Sequence, residues 1–152
     1  MGDVKQVAAA RVRDYMTPNP QTLEHQSTLL EAVLMMRRAE LRHIPILAGG
    51  RLVGIVTDRD VARFTPSMLM GITPQDYNRV FEETLVEKVM TRNPISTTPE
   101  VQLSEAVNLF YHQKLGCLPV LEGERLVGIV TRVDMLRALH DLIGDPASPG
   151  QS

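Results

Sequence analysis

Two copies of one seven-residue pattern hold the residues whose types and spacing could do chemistry. Residues 54–60 read Gly-Ile-Val-Thr-Asp-Arg-Asp, and residues 128–134 read Gly-Ile-Val-Thr-Arg-Val-Asp. Each copy follows an apolar run and leads into helix-compatible sequence, so it predicts a strand that delivers a hydroxyl and a carboxylate to a helix start. Unpaired N–H groups at a helix start suit a phosphate. A carboxylate three residues after the threonine can accept two hydrogen bonds from a vicinal diol such as a ribose.

The same residues have a simpler use. A threonine before a helix very often only caps that helix, with an acidic residue three positions later completing the cap. For either pair alone, Thr57 with Asp60 or Thr131 with Asp134, capping is the commoner use. The rest of the chain must therefore decide between the two interpretations.

A long internal repeat favours the ligand-binding interpretation over simple helix capping. A shift of 74 residues superposes residues 12–63 on 86–137 without a gap, and 22 of the 52 positions are identical. Two copies are too few for a solenoid, so we predict a pseudo-twofold pair. The predicted organisation is an N-terminal extension (1–11), repeat one (12–63), a helical linker between the repeats (64–85), repeat two (86–143) and a disordered tail (144–152).

Each repeat predicts the order β-α-β-β-α, which gives an α/β (α+β) fold class. Thr28 and Glu31 have the spacing of a capping box at a helix start. The short apolar runs 44–47 and 52–57, with their counterparts 118–121 and 126–131, predict strands that are covered on both faces. An amphipathic helix precedes each strand pair, and its buried stripe is predicted from Leu29, Ala32, Val33 and Met36 in repeat one and from Leu103, Ala106, Val107 and Phe110 in repeat two.

The linker predicts one further helix. Thr73 supplies an N-cap, Pro74 the first helical position and Asp76 an acid in the first turn. Apolar residues at helical spacing then predict a helix that packs across the two copies, and these are Tyr77, Val80, Phe81 and Leu85.

Composition sets the outer limits. A formal charge of −2 gives no electrostatic footprint for nucleic acid. The single Cys117 excludes an internal disulfide and fits a reducing compartment. No apolar run approaches the roughly 20 residues that span a bilayer, and no signal peptide is recognisable. We therefore expect a cytoplasmic protein without a membrane or nucleic-acid partner.

These features together resemble a tandem cystathionine-β-synthase (CBS) domain pair, also called a Bateman module. The matching features are Val12-x-Asp14-x-Met16, the proline-containing strand after Arg42-His43, and Gly-x-x-Thr-x-x-Asp in both copies. The resemblance covers residues 12–140, and within the family it is nearest to acetoin-utilisation-type CBS proteins. It implies repeats packed sheet to sheet, a homodimer, and an adenosine-containing regulatory ligand such as AMP, ADP, ATP, S-adenosylmethionine or NAD, with no required cofactor.

The resemblance also implies two ligand clefts, each with residues from both repeats. One cleft joins Thr131 and Asp134 to residues of repeat one, namely Gln21, Thr22, Arg42, His43, Ile44, Pro45 and Arg59. The opposite cleft joins Thr57 and Asp60 to Ile95, Ser96, Gly116, Cys117, Leu118 and Pro119.

The two clefts differ in charge. Arg42, His43 and Arg59 could meet phosphates through charge-assisted hydrogen bonds, whereas repeat two has Gly116, Cys117 and Val133 at the same places. We therefore predict that the Asp134 cleft takes the phosphate and that the Asp60 cleft binds more weakly or takes a less charged ligand. Arg132 is an exception if its side chain reaches that second cleft.

Three functions remain open. The leading one is a regulatory module whose ligand alters an unknown partner protein. The second is a structural dimerisation module with vestigial clefts, in which the threonines and aspartates only cap helices. An enzyme ranks third, because no phosphate loop, activated nucleophile or catalytic residue is recognisable. Asp58 and Asp60 could hold Mg²⁺ with a nucleotide, but two carboxylates at this spacing are weak support for a metal site.

Overall fold

The computed structural model describes residues 4–65 and 70–146. Seven α-helices and seven β-strands form within these ranges, and the chain divides into two compact units. We call Pro20–Ile95 with Gly123–Leu126 the first-repeat unit. Met1–Asn19, Ser96–Glu122 and Val127–Ser152 form the second-repeat unit. The predicted mixed α/β class is confirmed, while most of the predicted disordered tail, from residue 147 on, lies outside the described residues.

The elements follow one another as α1 (Val4–Ala8), α2 (Val12–Tyr15), β1 (Thr17–Pro18), β2 (Leu23–Glu24), α3 (Leu29–Ala39), β3 (His43–Ala48), β4 (Arg51–Thr57), α4 (Asp58–Phe64), α5 (Pro74–Glu83), β5 (Thr91–Arg92), α6 (Leu103–Gln113), β6 (Cys117–Glu122), β7 (Arg125–Thr131) and α7 (Arg132–Ile143). Each repeat thus contains the predicted helix, strand pair and second helix.

The first-repeat unit is built on a four-stranded sheet in the order β2-β3-β4-β5. β2 runs parallel to β3, and the other two pairings are antiparallel. Consecutive residues of β3 and β4 are buried, as expected for a strand pair covered on both faces. The core of this unit holds Ala32 from α3, Ile44 and Ile46 from β3, and Val56 from β4.

The second-repeat unit is built on a three-stranded sheet in the order β1-β7-β6. Leu118, Val120 and Val130 form its core with Ala106 from α6. A smaller apolar cluster joins α2, α6 and α7 and contains Tyr15 and Ala138 among its members.

A short segment at the start of each repeat completes the sheet of the other repeat's unit. β1 pairs with β7, and Val12 just before it is fully buried in the core of the second-repeat unit. β5 pairs with β4, and Val86 is fully buried in the core of the first-repeat unit. The compact units therefore begin at other residues than the sequence repeats do.

These crossing segments explain why the seven-residue pattern begins with glycine. A Cβ on Gly54 would lie 2.8 Å from the carbonyl oxygen of Thr91, and a Cβ on Gly128 would lie 2.6 Å from the sulfur of Met16. The first distance is too short for a real Cβ, so β5 can pair with β4 only because Gly54 has none. At Gly128, a Cβ would also lie 3.1 Å from the Thr17 carbonyl oxygen of β1, and the Met16 side chain would have to shift.

Most of the predicted helix signals are confirmed. Thr28 and Glu31 form the expected capping box, with the Glu31 N–H donating to the Thr28 hydroxyl at 3.2 Å and the Thr28 N–H donating to the Glu31 carboxylate at 2.8 Å. Thr73 caps α5, which packs against α3.

Two details of the helix predictions are wrong. Leu85 does not belong to α5, because the helix ends at Glu83 and Leu85 instead bridges to Thr28. Val107 is 44% exposed, since it lies at the edge of the apolar face whose centre is formed by the buried Leu103 and Ala106. The predicted packing of α5 across the two copies stays a prediction.

Candidate functional site

Both threonine–aspartate pairs lie at a strand-to-helix junction and form capping bonds. In the first-repeat unit, the Thr57 N–H donates to Asp60 Oδ2 at 2.9 Å, and the Asp60 N–H donates to Thr57 Oγ1 at 3.1 Å. In the second-repeat unit, the Thr131 N–H donates to Asp134 Oδ2 at 2.8 Å, and its hydroxyl donates to the same oxygen at 3.3 Å. The capping interpretation therefore describes what these residues do in the ligand-free chain.

Capping uses only one oxygen of each carboxylate. Asp60 Oδ1 accepts no hydrogen bond from the described residues, whereas Asp134 Oδ1 lies 3.5 Å from a guanidinium nitrogen of Arg137. A carboxylate oxygen has two lone pairs, so a second partner such as a sugar hydroxyl remains chemically possible at both places. The Asp134 side chain is only 11% exposed, so little of it is open to such a partner.

The first-repeat unit brings most of its predicted ligand residues to one end of its sheet. His43, the first residue of β3, is paired with Thr57, the last residue of β4. The carbonyl of Arg42 accepts the N–H of Asp58, which fixes Arg42 beside the start of α4. β2 is parallel to β3, with Leu23 opposite Ile46. The two residues just before β2, Gln21 and Thr22, therefore lie near the same end of the sheet as His43.

Two arginine side chains at this end could bind a ligand. The side chains of Arg42 and Arg59 are exposed, and neither guanidinium has a hydrogen-bond or ion-pair partner among the described residues. Ile44 and Pro45 are buried in the strand behind them. Ile95 is placed differently, because it follows β5 on the side of Val53 and not on the side of Thr57.

The second-repeat unit groups its predicted residues at the matching end of its own sheet. Cys117, Leu118 and Pro119 are buried at the start of β6, directly after the half-buried Gly116. Ser96 is exposed next to them, since the N–H of Thr97 donates to the Pro119 carbonyl at 2.9 Å.

The thiol of Cys117 is unreactive near neutral pH. Burial raises the pKa of Cys117 to about 12, so the group is a neutral thiol near pH 7. Cys117 thus fills space as a small buried residue.

Two arginines of the second-repeat unit, Arg132 and Arg137, already donate hydrogen bonds to backbone carbonyls. Arg132 Nε donates to the Leu115 carbonyl at 2.9 Å, and its Nη2 donates to the Lys114 carbonyl at 3.3 Å, so this side chain binds the end of α6. Arg137 donates to the Tyr15 carbonyl at 2.7 Å. Arg42 and Arg59 thus have guanidinium groups without a described partner, whereas those of Arg132 and Arg137 are engaged. That the Asp134 cleft takes the phosphate stays a prediction.

The sequence analysis did not single out Arg137, although its position three residues after Asp134 on a helix is a recognisable ion-pair spacing. It also missed a groove of about 790 Å³ in the second-repeat unit, which contains none of the predicted ligand residues. Tyr15 lines this groove and donates its hydroxyl to Asp141 at 2.6 Å. That hydrogen bond, with burial, raises the pKa of Tyr15 to about 12. A pair 126 positions apart leaves no local signal in the sequence.

Within the part of the chain that the structure describes, neither a metal-binding cluster nor a membrane-spanning helix is found. In residues 4–65 and 70–146, no group of three or more histidine, cysteine or acidic side chains is arranged to hold a metal ion. Over the same ranges, every helix is too short or too polar to cross a bilayer.

Comparison with known proteins assigns the family. The family model described as "CBS domain" matches twice, at residues 12–67 and 86–141. The chain belongs to the CBS domain family. The CBS domain-containing protein YhcV of Bacillus subtilis is 32% identical over 125 residues, which are 82% of this chain and 81% of that protein.

Two solved CBS structures agree with the fold. A Vibrio cholerae protein described as an acetoin utilization protein (AcuB) is 31% identical, with a TM-score of 0.72 over 90% of this chain and 98% of that one. The CBS domain pair of protein MJ0100 was solved with 5′-methylthioadenosine and S-adenosyl-L-methionine, and it is 25% identical with a TM-score of 0.70 over 86% of this chain and 96% of that one. The suspected resemblance, including its acetoin-utilisation-type neighbours, is confirmed.

Proposed function

We propose that this CBS pair is a regulatory module that binds an adenosine-containing ligand and passes the binding event to a partner protein. The observation that carries the proposal is the end of the first-repeat sheet, where Arg42 and Arg59 expose guanidinium groups that no described residue occupies. Two such groups beside a helix start favour a phosphate-bearing ligand. The adenosyl ligands bound to the MJ0100 pair support an adenosine moiety.

In this proposal each residue type has a separate task. Arg42, Arg59 and His43 contact phosphate, and Asp134 accepts the ribose hydroxyls through Oδ1, the oxygen that capping does not use. The expectation that one site draws Asp134 from repeat two and the cations from repeat one is part of the proposal. Any Mg²⁺ would arrive with the nucleotide phosphates, and no resident cofactor is needed.

Regulation requires the ligand to bind one arrangement of the protein better than another. The proposal includes a homodimer, because changes caused by the ligand can then be transmitted through the interface between the two copies. The function is regulatory and not catalytic, since the buried thiol of Cys117 and the capping aspartates are not arranged as an activated nucleophile and base.

A thermal-shift series tests the proposal. AMP, ADP, ATP, S-adenosylmethionine and NAD are each added at up to about 100 times the Kd of a responding ligand, where specific binding to the folded state stabilises it by about 2.7 kcal/mol. We expect a rise in Tm with at least one of them. Asp134→Asn should abolish that rise, and Asp60→Asn should leave most of it, because the cations accompany the Asp134 site.

One observation favours a second function. Both aspartates already form capping bonds, as a purely structural module would require. In that case no adenosyl ligand changes Tm, and Asp134→Asn and Asp60→Asn lower the stability of the unliganded protein by similar amounts. Loss of the ligand response on Asp60→Asn alone would instead show that the two sites have been assigned the wrong way round.

A further inference from the structure

Arg137 lies between the Asp134 carboxylate and the end of α2. Its Nη2 atom donates to the Tyr15 carbonyl oxygen at 2.7 Å and lies 3.5 Å from Asp134 Oδ1. Because this nitrogen carries two hydrogens, it can serve both oxygens at once. Asp134 Oδ1 is the oxygen that capping does not use, so the arginine stands beside the atom that the proposed function assigns to the ribose.

Tyr15 holds Arg137 in this place. The Cζ atom of Arg137 lies 5.3 Å from the centroid of the Tyr15 ring, within the range of a cation–π contact. Tyr15 is itself fixed, because it is buried in the cluster with Leu103 and Ala138 and its hydroxyl donates to Asp141 at 2.6 Å. Ordering a long side chain costs rotamer entropy. The two contacts with Tyr15 offset that cost for an arginine whose side chain is 54% exposed.

The internal repeat provides a natural comparison. The 74-residue shift aligns Arg137 with Arg63 and Tyr15 with Val89. Val89 has no aromatic ring, and Arg63 is exposed and forms no ion pair with Asp60 in the part of the chain that the structure describes. Both helices nevertheless begin with the same kind of cap. The contact between arginine and aspartate is therefore not needed to form the cap.

We infer that Arg137 is a positioning residue, which holds the Asp134 carboxylate ready for the vicinal diol of a ligand. The capping bonds engage Oδ2, and the terminal torsion of an aspartate is broad, so the cap alone lets the carboxylate tilt. Arg137 restrains Oδ1 as well. A carboxylate that is already oriented loses less entropy when the ligand binds, so the Asp134 site should select ribose more strongly than the Asp60 site. This inference rests on the ribose contact in the proposed function.

Binding of AMP and of 2′,3′-dideoxy-AMP, measured by isothermal titration calorimetry, tests the inference. The ratio of the two Kd values at the tighter site isolates the diol, since both nucleotides carry the same base and the same phosphate. Wild type should bind AMP at least about tenfold more tightly, because the dideoxy compound cannot donate to the carboxylate. Arg137→Ala should lower this ratio at least about threefold. In an Asp134→Asn background, Arg137→Ala should lower it no further, because the arginine acts through that carboxylate.

The matched control is Arg63→Ala, which removes the arginine at the same place in repeat one and should leave the ratio within about twofold. Equal losses of affinity for both nucleotides in Arg137→Ala would show that Arg137 contacts another part of the ligand, and would overturn the inference. A ratio that falls in Asp134→Asn but not in Arg137→Ala would overturn the inference and leave the proposed function standing. A wild type that binds both nucleotides equally would refute the ribose contact itself, and the inference with it.

A measurement without ligand tests the anchoring by Tyr15. NMR relaxation of the arginine Nε–H groups should give a higher order parameter for Arg137 than for Arg63, because Arg137 alone of the two has a tyrosine carbonyl and ring as partners. Equal order parameters for the two arginines would overturn the inference, whatever the binding ratios are.

Discussion

Replacing Arg42 by alanine tests whether the available cations of the first-repeat unit serve a phosphate. Arg42 is held beside the start of α4 by the bond between its carbonyl and the N–H of Asp58, so the backbone should stay in place when the side chain is removed. Since the guanidinium has no partner among the described residues, its loss leaves no buried group unsatisfied. Any loss of affinity then reports contact with the ligand.

The expected loss can be estimated. A hydrogen bond to a charged group contributes about 1.5–3 kcal/mol. Arg42 is exposed, and solvent screening lowers this contribution toward the smaller value. We therefore expect Arg42→Ala to weaken AMP binding by about 1.4 kcal/mol, which is about tenfold in Kd. For 5′-methylthioadenosine, which lacks a phosphate, we expect a change of less than about twofold.

Isothermal titration calorimetry at 0.15 M salt measures the Kd of AMP and the Kd of 5′-methylthioadenosine. The matched control is Arg38→Ala, which removes an equally exposed arginine from the last turn of α3 and should be screened from a bound phosphate at this salt concentration. Equal losses for AMP and 5′-methylthioadenosine would show that Arg42 contacts the nucleoside. An equal loss of AMP affinity in Arg38→Ala would show that the effect comes from the net charge of the unit and not from contact with Arg42. Either result refutes the reasoning.

Three further changes probe the framework of the site. Gly54→Ala should destabilise the fold by about 1–3 kcal/mol in urea unfolding, because the new Cβ would lie 2.8 Å from the backbone carbonyl oxygen of Thr91; an unchanged midpoint would mean that β5 can move away from β4 without cost. Thr28→Ala should cost about 1 kcal/mol through the lost cap of α3 and leave ligand affinity unchanged, as calorimetry would show. Asp141→Asn should lower the pKa of Tyr15 from about 12, followed by phenolate absorbance. Since the folded-state pKa lies above the ordinary value of 10, the stabilisation linked to Tyr15 is complete below pH 10 and is lost as the pH rises toward 12. The asparagine variant should lose it at lower pH, and an identical pH profile would contradict the assigned cause.

Local patterns predicted the elements that position the candidate site. The spacing of Thr28 and Glu31 predicted a cap, and that cap forms. The repeated Gly-Ile-Val-Thr-x-x-Asp pattern predicted a strand that ends at a helix start, and Thr57 and Thr131 stand there. These signals are readable because each depends on residues within one turn or one strand of each other.

Other features depend on contacts that the local sequence does not encode. Nothing near Val12 or Val86 shows that each belongs to the core of the other repeat's unit, since its partners lie far along the chain. The engagement of Arg132 with the end of α6 was likewise invisible, because an arginine at a helix start is equally compatible with solvent or a ligand. Family resemblance suggested the proposed ligand class, adenosine-containing compounds, which the residue spacing left open.

The exchange of β1 and β5 has a consequence for how the protein is made. The sheet of the first-repeat unit needs Thr91–Arg92, so it cannot be complete on the ribosome until well after repeat one has been translated. A gene cut at the repeat boundary would likewise yield two fragments that each lack an edge strand and a buried valine. Fragments intended to fold independently would have to keep the segment holding Val86 and β5 with repeat one, and would have to move the segment holding Val12 and β1 to repeat two.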